Sequence, residues 1–167
     1  INGVECEPFL TSDNRLMIEK SGEVVAGTRL LMKALGVEKA AIGIENNKPE
    51  AILIMSQAVR EMQGISVVPL QVKYPQGGEK QLIKAVTGKE VPSGALPVSV
   101  GCVVSNVGSA FAVYEAVQKN KPLFERVVTV TGKSLKNPSN LLVRIGTPVA
   151  EPEAFPKIRE RSSAEVP

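Results

Sequence analysis

Three short stretches hold the residue types that could do chemistry. The first is Asn2-Gly3-Val4-Glu5-Cys6-Glu7-Pro8, which puts an amide and two carboxylates on one loop. An amide is neutral and offers donor and acceptor together, which suits the edge of a ring cofactor or a sugar-type hydroxyl. Glu5 and Glu7 can accept from hydroxyls or hold a ribose. The plainer alternative is a solvated acidic loop with an Asx turn, and spacing does not choose between the two. The second stretch is Tyr74-Pro75-Gln76-Gly77-Gly78-Glu79-Lys80. Glycines just before a helix let backbone N–H groups approach a ligand, and a helix N-terminus favours anions. Glu79 in a first turn also simply complements the helix dipole. The third is Ser105-Asn106-Val107-Gly108-Ser109, where N–H groups and short polar side chains could hold a phosphate; plain N-capping by Asn106 explains it equally well. The recurrence counts for more than any one stretch. Three strand-to-helix junctions carry small and polar residues, and in a parallel sheet such junctions share one edge, where ligands bind.

The elements that would position these loops follow from the hydrophobic pattern. Ile1–Glu5 reads as a short strand stub, and residues 6–15 as a loop rich in turn and cap formers. Val24, Val25, Leu30, Leu31 and Leu35 are spaced as the buried stripe of a helix over 23–35, with Gly36 as its stop. Residues 39–45 (KAAIGIE) predict a buried strand. A helix to about Met62 follows, with Asn47 as its cap and Pro49 in its first turn, closed by Gly64. Residues 65–73 (ISVVPLQVK) predict a strand that Pro69 confines to an edge or a bulge. A short helix over 79–86, a Gly/Pro-rich loop, a strand over 98–104 and a helix over 107–119 complete the first unit. This alternation is that of an α/β fold with a parallel sheet. Lys121–Pro122 marks a boundary. Beyond it the pattern turns to β, with strands over 126–131 and 140–145, and the Pro-rich, charged residues 151–167 read as a loose tail.

Composition narrows the chemistry. The 167 residues contain no histidine, which removes a Ser–His–Asp hydrolase and a His-ligated zinc enzyme. Cys6 and Cys102 are too few and too far apart for a disulfide framework, and without a C-x-x-C motif they hold no iron–sulfur cluster. Twenty basic and seventeen acidic residues, mixed along the chain, give a net charge of +3 without a concentrated basic face, and no tryptophan and 4% aromatic residues leave no stacking platform. Both argue against a nucleic-acid partner. No apolar run reaches the roughly 18–20 residues of a membrane span, so direct membrane insertion is not expected. The chain opens on Ile1, read as the tail of a strand whose start lies upstream; N-terminal processing would look the same.

The runs INGVECEPFLTSDNRLM, KYPQGGEKQLIKAVTGKEVPSG and VGCVVSNVGSAFAVYEAV resemble the RnfC family of the Rnf electron-transport complex and, more remotely, the flavoprotein subunit of respiratory complex I. The likeness covers about residues 1–149. It implies a Rossmann-like FMN- and NADH-binding domain over 1–120, a partial β-grasp unit of the SLBB type over 121–150, and a tail over 151–167. Carried over residue by residue, Asn2, Glu5, Gly78, Glu79, Ser105 and Asn106 fall on flavin-contact positions, and Glu7 on the position near the nicotinamide nucleotide. No catalytic side chain and no metal ligand is implied within these residues. Departures exist: Glu79–Lys80 stands where the complex I relatives have two acids, and Val4 replaces an acidic residue of that remote group. The family's Gly-rich loop is expected upstream of Ile1 and its cysteine clusters downstream.

The resemblance implies a subunit that takes hydride from NADH onto FMN and passes electrons to 4Fe–4S clusters outside these residues. Its partners are the other Rnf subunits, and its place is the cytoplasmic side of the bacterial inner membrane, held there by those partners. The residues present here are expected to bind FMN weakly or not at all, and to be inactive alone. Two alternatives stand beside this: a cofactor-free scaffold that docks partner subunits, and a cobalamin-reducing relative from bacterial microcompartments with the same fold.

Overall fold

The computed structural model describes residues 1–133, 135 and 137–148. The chain divides into two compact units, Ile1–Pro122 and Leu123–Pro167. In the first, β1 (Asn2–Gly3), β2 (Ala40–Glu45) and β3 (Ile65–Leu70) form a parallel sheet in the order β1-β2-β3. Asn2 pairs with Gly43 and Gly3 with Ile44, while Ala40 to Glu45 pair one for one with Ile65 to Leu70. Pro69, which has no N–H to give, sits on an edge strand as its chemistry demands.

The period of two along each strand sorts the core into two layers. Ile42 and Ile44 face one cluster with Leu16, Met17, Val24, Val25, Met55 and Val107. Those residues come from α1 (Ser12–Glu19), α2 (Ser21–Leu35), α3 (Pro49–Val59) and α5 (Val107–Lys119). Gly43, between the two isoleucines, faces the opposite way: a Cβ there would meet Leu82, Leu70 and Val4, the second cluster, under α4 (Glu79–Thr87). Each fully buried Val, Ile or Met of these layers is worth about 1.5–3 kcal/mol against exposure. At Gly27 a Cβ would lie 1.8 Å from the Ala110 carbonyl oxygen, so α2 and α5 touch backbone to backbone there.

The helices over 23–35, 79–86 and 107–119 form close to where the pattern puts them, and Gly36 ends α2 in the left-handed region at φ +64°. Other expectations need correction. Residues 6–15 are not loop throughout, because α1 begins at Ser12. Asn47 does not cap α3: the N-cap is Lys48, whose side chain makes no capping bond, and the helix stops at Val59 rather than Met62. The strand expected over 98–104 does not form. Pro97 starts a 3-10 turn to Val100, and Gly101 breaks the run at φ +71°; Val98 and Val103 end up exposed. Among the described residues a single isolated parallel bridge, Asn2 with Asn106, lies beside β1 just past this segment.

In the second unit, β4 (Glu125–Val130) and β5 (Ser139–Arg144) pair antiparallel, Glu125 with Arg144 through Val130 with Ser139. The Thr129 hydroxyl donates to Asn140 Oδ1 across the pair at 2.8 Å. A hairpin of this kind occurs in many β architectures. Residues 151–167, read from sequence as a tail, lie outside the described residues.

Candidate functional site

The C-terminal edge of the parallel sheet is where the three polar stretches end up. The Asn2 backbone N–H donates to the Ser105 carbonyl at 2.7 Å, and its Nδ2 donates to the Gly77 carbonyl at 3.0 Å. Its Oδ1 accepts from the Val4 N–H at 3.1 Å, an Asx turn that shapes the loop leaving β1. Asn106 ties the same edge from the other side. Its Nδ2 donates to Asp13 Oδ2 at 2.6 Å and reaches the Asn2 carbonyl at 3.4 Å, while its Oδ1 accepts from the Gly108 N–H and caps α5. The loops at residues 2–8, 74–78 and 105–109 are thus joined by direct hydrogen bonds on one rim.

Glu5 has a different environment. Its backbone is left-handed at φ +51° and its side chain is 3% exposed. Oε1 accepts from the Asp13 N–H at 2.7 Å and the Ser12 hydroxyl at 3.4 Å; Oε2 accepts from the Asn14 N–H at 3.2 Å and Lys48 Nζ at 3.5 Å. The carboxylate supplies the cap that Thr11 does not. Burial pushes the Glu5 carboxyl above its ordinary pKa, opposed by the Asp13 N–H and the Lys48 charge.

The 74–78 loop closes on itself before α4. Gln76 N–H donates to the Lys73 carbonyl at 2.6 Å and Gly78 N–H to the Pro75 carbonyl at 2.8 Å. A Cβ at Gly77 would press on Cys6 Sγ at 3.1 Å, so this backbone lies directly on the loop leaving β1. Gly78 is the N-cap of α4 and carries no side-chain cap for it. Glu7 and Glu79 are exposed and take no part in the bonds that join the loops. Ser105 joins through its carbonyl. Lys80, the departure from an acid pair, donates to the Pro92 carbonyl at 2.9 Å and lines a cleft of about 480 Å³ beside α4 with Lys73, Tyr74 and Lys84.

Sequence reasoning missed three residues of this rim: Asp13, Lys48 and Glu45. Glu45 ends β2 on the α4 face and is 2% exposed. Its carboxylate receives the Lys73 N–H, yet Oε1 is buried with no partner among the described residues, and burial raises its pKa against the pull of that N–H and of Lys48. A charged residue closing an otherwise apolar strand run was the signal available. Among the described residues no group of acidic or thiol side chains is arranged to hold a metal, and no helix is long and apolar enough to cross a membrane.

Comparison with known proteins adds the family. The family model described as "Nuo51 FMN-binding domain" matches residues 1–115. Among curated relatives, the C subunit of the "Proton-translocating ferredoxin:NAD(+) oxidoreductase complex" of Clostridium ljungdahlii is 55% identical over 147 residues, 88% of this chain and 32% of that protein. The C subunit of the "Na(+)-translocating ferredoxin:NAD(+) oxidoreductase complex" of Acetobacterium woodii is 49% identical over 89% of this chain and 33% of its own length. The C subunit of the "Ion-translocating oxidoreductase complex" of Yersinia enterocolitica is 50% identical over 89% of this chain and 21% of its own. The chain therefore spans a third or less of the length of these relatives. The three motif runs and the matched residues agree: the chain belongs to the Nuo51 FMN-binding domain family and is similar, over most of its length, to the C subunit of bacterial ion-translocating oxidoreductase complexes.

Proposed function

We propose that residues 1–120 are the FMN- and NADH-binding part of an electron-transfer subunit of a membrane ion-translocating complex of the Rnf type. The observation that carries the reading is the bonding of Asn2 to Gly77, Ser105 and Asn106, which makes one rim of three loops at the sheet edge where α/β folds bind ligands. Two observations fit such a group: α4 begins at this rim on Gly78 without a side-chain cap, and Glu45, at the end of β2, keeps one buried oxygen with no partner among the described residues. Gly78, Glu79, Ser105, Asn2 and Asn106 would line the flavin, and Glu7, exposed at the end of the first loop, would face the nicotinamide nucleotide. Bound FMN supplies the two-electron to one-electron conversion; the chain supplies placement and electrostatics. Electrons would leave to 4Fe–4S clusters borne elsewhere in the full-length protein, with the other subunits as partners and the cytoplasmic side of the membrane as the place. The β-grasp assignment for 121–150 belongs to the same reading.

The test is FMN titration, followed by absorbance and flavin fluorescence quenching, of this chain alone and of the chain extended upstream by the residues that would carry the Gly-rich loop. Stoichiometric uptake by the extended chain and weak uptake by the short one are expected. Absence of uptake by the extended chain would sink the reading and leave the scaffold role. A flavin band that stays with the short chain through gel filtration would contradict the dependence on upstream residues.

A further inference from the structure

We propose that Glu5 is a positioning residue of this rim, acting through α1 and Asp13, and that its carboxylate does not touch the ligand. The inference rests on the flavin reading only for what the rim holds; the positioning itself is a property of the chain. Both carboxylate oxygens are engaged, by two backbone N–H groups at the start of α1, the Ser12 hydroxyl and the Lys48 ammonium, with the side chain 3% exposed. A ligand could reach either oxygen only by displacing one of these partners. Glu7, two residues on, is exposed. The two acids of one loop thus divide: one builds the site and the other faces outward.

The contacts also say what Glu5 positions. Its bond to the Asp13 N–H fixes the first turn of α1. Asp13 Oδ2 then receives Asn106 Nδ2 at 2.6 Å. Asn106 reaches the Asn2 carbonyl, and Asn2 holds Gly77. Lys48, just before α3, is drawn to the same carboxylate. One buried anion therefore sets α1 and the start of α3 against the rim. A non-glycine residue in the left-handed region is strained, and charge-assisted hydrogen bonds to a buried carboxylate are strong enough to hold it there. The strain at φ +51° is sustained by this capping.

Glu5→Ala and Glu5→Gln are compared by two readouts. The first, in the ligand-free chain, is the NMR signals of the Asn2 and Asn106 side-chain amides. The second is FMN affinity in the upstream-extended chain. Glu5→Ala should shift both amide signals and weaken FMN by roughly tenfold or more, the factor set by one lost charge-assisted hydrogen bond. Glu5→Gln keeps an acceptor for the Asp13 N–H, so it should restore the signals and most of the affinity. Asp13→Ala interrupts the relay beyond Glu5 and serves if Glu5→Ala does not fold; it too should move the Asn106 signal and weaken FMN. The proposal is overturned if Glu5→Gln loses as much affinity as Glu5→Ala while both amide signals stay in place, since Glu5 would then contact the ligand. Unmoved amide signals in Glu5→Ala or in Asp13→Ala would also overturn it. If the extended wild-type chain takes up no FMN, the flavin reading fails, and the ligand-free amide signals still decide the positioning claim.

Discussion

Glu45 shows how one side chain can record a cost in the fold. It is 2% exposed, satisfied on one oxygen and, among the described residues, without a partner on the other, with its pKa raised chiefly by burial. The unfolded chain ionises this group near its ordinary value of 4.5, whereas the folded chain holds the proton to higher pH. Across that interval the native state binds more protons, so its contribution is present at low pH and is lost as pH rises through the raised pKa. Glu45→Gln removes the titration. Its urea midpoint, relative to wild type, should therefore improve as pH rises from below 4.5 through the raised pKa; a difference independent of pH would show that Glu45 ionises normally. Of the acids singled out by sequence, Glu7 and Glu79 stand exposed as solvated residues do, and Glu5 is spent on the protein itself. Nothing in the spacing distinguishes these. Asn106 was legible as a cap because its bond to the Gly108 N–H is local. Glu5 was not, because it caps a helix eight residues away from a left-handed backbone.

At the scale of elements, α2 and α5 carry the clearest constraint. Their backbones meet at Gly27, and a methyl group there would fall 1.8 Å from the Ala110 carbonyl oxygen. Gly27→Ala should force the helices apart and cost about 3 kcal/mol or more. Gly22, in the same helix, has nothing within 4 Å of a built Cβ, and Gly22→Ala should gain about 0.5–1 kcal/mol from backbone entropy. Paired thermal melts check both signs. A Gly27→Ala chain as stable as wild type would mean that the helices do not cross this closely. The helices with a strong apolar stripe were readable. Helix α1 was not, since residues 11–14 (TSDN) look like turn formers and its first N–H groups depend on Glu5. The missing strand at 98–104 is the converse error: apolar residues alone do not make a strand where Pro97 and Gly101 dictate the backbone.

At the scale of the molecule, both apolar layers of the first unit are built entirely from residues before Leu123. A chain ending at Pro122 should therefore unfold cooperatively, with a midpoint within a few degrees of the longer chain. Circular dichroism melts of the two decide it, and loss of a cooperative transition on truncation would show that the first unit needs the second.

The sequence by itself determined neither helix α1 nor the absence of a strand at 98–104, but it did determine the parallel α/β class, the alternation α2, β2, α3, β3, α4 after the first strand, the change of pattern near Pro122, and the family. Each of these is written in local periodicity, turn chemistry or long consecutive motif runs. Only the tertiary structure decided which polar residues hold the rim together and which stay exposed. Asn2 to Gly77, Asn106 to Asp13 and Lys48 to Glu5 are bonds between residues 43 to 93 positions apart. A carboxylate or an amide has the same composition whether its oxygens meet solvent, a ligand or a helix end; burial and the partners delivered by packing assign its role.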